Sequence, residues 1–206
     1  FCSPAGNDLL FDESLTEQGR NFGNKIWNAF RLIKGWKVDD GLEQPAHSAE
    51  AVLWFGHQLN RAFIDIEDQF HKYRVSDALM IAYKLYWDEF SSWYLECIKP
   101  AYQKAIDPVT YEATLGFIEQ LLHMLHPFMP FITEEIWQLI RERKSGDSLM
   151  VSSMPAPEAF DQVLLEQFES VKEVVTHIRS IRKEKNLAPK EALSLMVRSS
   201  NGSSHH

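Results

Sequence analysis

Between Arg20 and Lys37 the chain carries five basic residues and no acidic one. Within that stretch Arg20, Asn21, Asn24, Lys25, Asn28 and Arg31 recur at helical spacing. Opposite them, Phe22, Ile26, Ala29, Phe30 and Ile33 fall within about 100° of one another on a helical projection. A plain solvated helix face mixes acids with bases, whereas this one holds only amides and cations. An amide both donates to and accepts from a base edge, and a guanidinium reaches a phosphate or stacks on a base. Trp27 borders the polar face and Trp36 follows the helix, so either indole offers a plane for an unpaired base. Three asparagines also lower helix propensity, a local inconsistency of the kind expected at functional sites. The plainer alternative is a surface helix whose amides serve as caps.

A second basic stretch, Thr176–Lys190, holds five cations and one acid. It makes Arg179, Arg182 and Lys183 candidates for secondary RNA contacts. The remainder of the 206-residue chain is acidic, with 11 basic and 28 acidic residues and a formal net charge of −8 overall. Local patches on an acidic body still hold phosphates, because screening limits electrostatics to near neighbours.

Other chemistries fit less well. Glu67–His71, Glu119–His123 and Glu173–His177 each place Glu and His at i, i+4, but di-iron helix bundles require Glu-x-x-His at i, i+3, which the chain lacks. Surface i, i+4 pairs are common and weakly stabilising, and His123 and His126 lack zinc-site spacing. No glycine loop suited to phosphate and no nucleophile with an identifiable base stands out. The expectation is no metal, no cofactor and no catalytic residue. Cys2 and Cys97 fit neither a disulfide framework nor a zinc site, which points to a reducing cytoplasm. No apolar run approaches the ~20 residues that cross a bilayer.

The elements positioning these residues read as helices. Helix 1 is expected over Leu15–Lys34, stopped by Gly35 as a left-handed cap, and helix 2 over Ser48–Tyr73. Helix 3 is capped by Ser76 and limited by Pro100, with Leu79, Ala82, Tyr86, Phe90, Trp93 and Cys97 as its stripe. Asp107-Pro108 opens helix 4. Thr133 caps helix 5, with Glu134 and Glu135 in its first turn. Leu149–Ser152 reads as extended. A last helix over Glu158–Asn186 carries Leu164, Phe168, Val171, Val175 and Ile178, and Leu193–Arg198 begins a strand without a partner in the chain. The fold class is all-α: a bundle of about five helices, then a C-terminal helix leading into a truncated small element. The expected organisation is a linker over 1–14, the bundle over 15–148, and a linker with the last helix and a truncated element over 149–206.

Four runs, in order, resemble the valyl-tRNA synthetases: SPAGNDLLFDE (Ser3–Glu13), GRNFGNKIWNAFR (Gly19–Arg31), YWDEFSSWYLECIKP (Tyr86–Pro100) and LHPFMPFITEEIW (Leu125–Trp137). The last run has looser relatives in the isoleucyl and leucyl enzymes. The resemblance implies the anticodon-binding segment of a class I synthetase, lying after the KMSKS loop. It would grip the anticodon arm of a valine tRNA and orient it for a catalytic domain elsewhere in the same parent chain. That parent would be a monomeric, ATP- and magnesium-dependent ligase with an editing domain, and the segment alone would be non-catalytic. The alternative is a stand-alone helical module that binds tRNA or protein. Two features depart from the family pattern. Gly23 inside helix 1 costs ~1 kcal/mol relative to Ala and either loosens the helix or admits an RNA backbone. Ser91-Ser92 replaces bulkier residues, which puts local packing in doubt.

Overall fold

The computed structural model describes residues 13–188, 191, 192, 194, 197, 198, 204 and 205. Of the Ser3–Glu13 run only Glu13 lies among them, and Cys2 lies outside. Helices dominate: α1 Glu13–Lys34, α2 Ala46–His71, α3 Val75–Lys84, a π-helical segment Leu85–Tyr94, α4 Leu95–Ile98, α5 Pro108–Leu125, α6 Pro130–Ile140 and α7 Gln162–Glu184. The α3, π and α4 segments run on without a break, so the all-α class holds with six helical rods among the described residues. Val197–Arg198 (β1) pairs antiparallel with Ser204–His205 (β2). Of the strand expected at Leu193–Arg198, the described residues Val197 and Arg198 therefore do have a partner in the chain.

The chain divides into two compact units, 1–162 and 163–206. In the first, α1 to α6 enclose an aromatic core. Phe55 of α2 stacks on Tyr94 at 4.9 Å, and Phe90 lies 5.6 Å from Tyr94 between ring centroids. Phe117 of α5 meets Phe55 and Tyr94 edge-on. Tyr94 and the Thr114 hydroxyl lie 2.7 Å apart, and Thr114 donates to the Thr110 carbonyl. The fully buried Tyr86 hydroxyl lies 3.4 Å from the Ile26 carbonyl of α1. Burial holds the phenols of Tyr86 and Tyr94 well above their ordinary range.

The π segment is the main departure from the expected helices. Tyr86, Phe90, Tyr94 and Ile98 are buried, so the inward face repeats every fourth residue. Ordinary 3.6-residue periodicity instead selects Trp93 and Cys97, which are only half-buried. Wider i→i+5 turns hold more residues per turn, and the Leu95 N–H reaches back to the Phe90 carbonyl in that pattern. The two serines complete it. Ser91 Oγ donates to the Tyr86 carbonyl and Ser92 Oγ to the Trp87 carbonyl, both at 2.9 Å and five residues back. The hydroxyls that looked like a packing defect supply donors to the wide turns.

Several termini also differ from expectation. Gly35 ends α1 without a left-handed φ; a Cβ there would sit 3.3 Å from the Arg31 carbonyl. Helix α3 begins at Val75 after Arg74, so Ser76 lies inside it and does not cap it. Helix α6 begins at Pro130, because a first-turn proline needs no hydrogen-bonded N–H. Thr133 then sits within the helix, its hydroxyl donating to the Met129 carbonyl at 2.8 Å. Residues 149–151 form a 3₁₀ turn, not an extended piece. The expectation for α5 holds: Asp107 Oδ1 accepts the Thr110 N–H at 2.7 Å, with Pro108 in the first turn.

Two cross-links set α1 against α6. Lys34 Nζ donates to the Ile140 carbonyl at 3.2 Å, at the C-terminal end of α6 where a cation is favoured. Gly23 faces Met129 and Ile132 at the other end. An added Cβ would lie 3.6 Å from Met129 Cε and 3.8 Å from Ile132 Cδ1, ordinary contact distances. Gly23→Ala is accordingly expected to stabilise the protein by up to about 1 kcal/mol through helix propensity, read as a higher urea midpoint at unchanged slope.

Glu134 ties α6 to the following loop by accepting from Gln138 Nε2, Ser148 Oγ and the Leu149 N–H. Burial alone would raise its carboxyl pKa. The hydrogen bonds from Gln138, Ser148 and Leu149, with nearby His126, outweigh burial and hold it below the usual carboxylate range. A depressed folded pKa means a contribution that is complete above the unfolded value and is lost as pH falls through the folded one. Glu134→Gln should therefore destabilise the protein at pH 7, with the gap from the parent closing in denaturation curves taken below about pH 4.

Candidate nucleic-acid interface

Helix α1 lays Phe22, Ile26, Ala29, Phe30 and Ile33 into the core, which turns the opposite side to solvent. Arg20, Asn21, Asn24, Asn28 and Arg31 are all exposed there. Arg20 makes only a 4.0 Å contact with Glu17, one turn back and equally exposed. Of the eight residues expected on this face, these five form one open strip along the helix.

The other three are placed differently. Lys25 is half-buried on the flank toward the π segment. Its ammonium lies 3.8 Å from the Trp87 ring centroid and donates to the Trp87 carbonyl at 3.3 Å. Burial lowers its pKa, and Asp88 partly offsets this. Trp27 is half-buried, tilted against Phe30 at 5.6 Å between centroids. Trp36 is half-buried just past the helix, its backbone N–H donating to the Ile33 carbonyl.

Arg179, Arg182 and Lys183 stand on α7 in the second unit. Arg179 and Lys183 are exposed, whereas Arg182 donates to the Ala188 and Glu191 carbonyls at 2.7 Å each and clamps the segment after the helix. On α7, Leu164, Phe168, Val175 and Ile178 are half-buried as the stripe predicts, but Val171 is exposed.

His123 and His71 make contacts of a structural kind. Glu119 is engaged by Arg141 and Arg143, and Arg143 also covers the Trp137 ring at 3.7 Å. His123 bonds to the Glu119 carbonyl and to Ser152 Oγ, at 2.8 and 2.9 Å. His71 and Glu67 form an exposed pair at 3.8 Å. Among the described residues no three metal-capable side chains cluster, and no helix is long and apolar enough to cross a membrane.

Sequence reasoning missed Tyr83 and Trp87, which stack at 5.5 Å with their planes 17° apart beside α1. The available signal was their i, i+4 spacing just before the Ser91-Ser92 pair.

The geometry is thus an all-helical bundle that exposes a strip of amides and cations on α1. Residues 53–197 match the model of the anticodon-binding domain of tRNA ligases, and the chain belongs to that family. Helix α1 precedes the matched range. Over 197 residues, 96% of the chain, it is 59% identical to the valine–tRNA ligase of Parabacteroides distasonis and 58% identical to that of Phocaeicola vulgatus. It is 37% identical over 98% of its length to the valine–tRNA ligase of Fusobacterium nucleatum. The chain spans 22–24% of the length of these relatives.

The placement of Lys25 sets it apart from its neighbours on α1. Lys25→Met should cost on the order of 1 kcal/mol by removing the cation from the Trp87 ring and a donor from its carbonyl. Asn24→Ala should stay within about 0.5 kcal/mol. Equal urea midpoints for the two variants would refute the assignment of Lys25 to the fold.

Proposed function

We propose that this chain binds the anticodon arm of a valine tRNA and orients it for aminoacylation by the catalytic domain of a valine–tRNA ligase. The observation that carries the reading is the exposed strip of amides and cations Arg20–Asn21–Asn24–Asn28–Arg31 on a helix whose other side is locked into the bundle. Membership of the anticodon-binding family and the high identity to valine–tRNA ligases support it. In this reading Arg20 and Arg31 contact phosphates and fix the register of the RNA. Asn21, Asn24 and Asn28 meet base edges and carry the discrimination. Trp27 and Trp36 border the strip as stacking surfaces. Arg179 and Lys183 add secondary contacts. Lys25 acts through Trp87, whose ring and carbonyl it holds. Valine activation, with its ATP and magnesium, and editing fall to other domains of the ligase.

The reading implies an electrostatic affinity of limited size, since a single short strip reaches few phosphates. Binding of the 206-residue chain to a valine tRNA transcript should weaken steeply between 50 and 200 mM salt. Arg31→Ala should flatten the log–log slope by about 0.7 to 0.9. Asn28→Ala should narrow the affinity difference between native and anticodon-substituted transcripts more than it lowers total affinity. Fluorescence anisotropy titrations read both effects. Parent-like slopes and parent-like discrimination in the two variants would remove α1 as the reading surface.

A further inference from the structure

The inward face of α1 begins before the bundle that buries it. Leu15, Gly19, Phe22 and Ile26 follow one another at helical spacing, and burial starts only at Phe22. Leu15 is 40% exposed, and a Cβ added at Gly19 would meet no atom within 4 Å. Under these first turns lies a groove of about 580 Å³, bounded by α3, the π segment and the turn before α6. Leu15, Phe22, Met80 and Met129 give it an apolar lining, and the exposed Gln18 and Asn21 place amides at its rim. The rings beside it are already engaged. Tyr83 and Trp87 stack on each other, Phe22 packs against Tyr83, and the Lys25 ammonium covers Trp87. What the groove offers is therefore aliphatic and thioether surface. That surface fits apolar side chains carried on a peptide, whose backbone groups can bond the two amides.

The sequence puts such a peptide next to it. Leu9, Leu10 and Phe11 are consecutive apolar residues, and Phe11 stands two positions before the start of α1 at Glu13. Asp12, between them, has the chemistry of a helix cap. A hydrophobic residue just ahead of a cap commonly packs against the first turns of its helix. Leu15 lies in those turns and lines the groove, and four residues span at most about 14 Å. A group tethered this closely acts at an effective concentration in the millimolar range, far above that of a second copy at micromolar protein.

We infer that the groove under the start of α1 is the docking site of this chain's own residues 9–11, with Phe11 as the anchor. Docked there, the segment extends the core beneath α1 to Leu15 and Gly19 and steadies the turns that carry Arg20 and Asn21. The inference is independent of what binds the polar strip.

The test is hydrogen exchange in the full 206-residue chain, read at the amides of residues 17–22, with those of residues 118–125 in α5 as a control on the bundle. Phe11→Ser removes the anchor. Met80→Glu places a carboxylate in the groove at a side chain already 41% exposed, so folding is spared. Each variant should lower protection of residues 17–22 about 10-fold, the equivalent of ~1.4 kcal/mol, and leave the α5 amides as in the parent. The double variant should lose little more than either single one, because both remove the same contact. Parent-like protection of residues 17–22 in Phe11→Ser would overturn the inference, as would losses that add fully in the double variant. Protection in the parent that rises with protein concentration, together with a dimer in sedimentation, would give the groove to a second copy and overturn it too.

Discussion

One column of aromatic side chains dictates much of the first unit. Tyr86, Phe90 and Tyr94 must all face α2, α5 and α1 from a single rod, and they are spaced four residues apart. A regular α-helix would carry such a series progressively around its surface. The rod instead widens into π turns over Leu85–Tyr94, and all three rings remain buried. Ser91, Ser92 and the Lys25 ammonium add side-chain donors to carbonyls of these turns. Through Lys25 the same irregularity reaches α1 and fixes Trp87 beside the polar strip.

This explains which parts of the architecture were legible in the sequence. The all-α class, the burial of the α1 face and the Asp107-Pro108 start of α5 follow from local rules: periodicity, an oxygen acceptor at a helix start, a proline that needs no donor. The π segment does not follow from them. It is selected by packing between distant residues such as Phe55, Phe90 and Phe117, and a 3.6-residue projection therefore names Trp93 and Cys97 where Tyr94 and Ile98 are buried. Ser76 and Thr133 have the chemistry of caps, but α3 begins at Val75 and α6 at the first-turn proline Pro130, which leaves both residues inside their helices.

The candidate site shows the same division. Arg20, Asn21, Asn24, Asn28 and Arg31 project together because helical geometry alone places them so, and the structure leaves them exposed. Lys25 has the same residue type and spacing as its neighbours, yet a side chain 62 positions away in sequence claims it. The surroundings of the Tyr83–Trp87 stack were invisible because its partners, Phe22 and Lys25, come from another helix.

The composition of the α1 strip has a thermodynamic consequence of its own. The helix beneath it is held by the Lys34–Ile140 bond and by the burial of Phe22, Ile26, Phe30 and Ile33, so its backbone is already ordered. Three of the five exposed side chains are asparagines, which are short, whereas a lysine-rich face would surrender up to about 1.5–2 kcal/mol of rotamer freedom for each long chain it immobilised. A ligand that settles on the asparagines thus orders few torsions as it binds. Affinity there depends on how well the ligand matches short donors and acceptors carried on an ordered helix, which favours selectivity over strength.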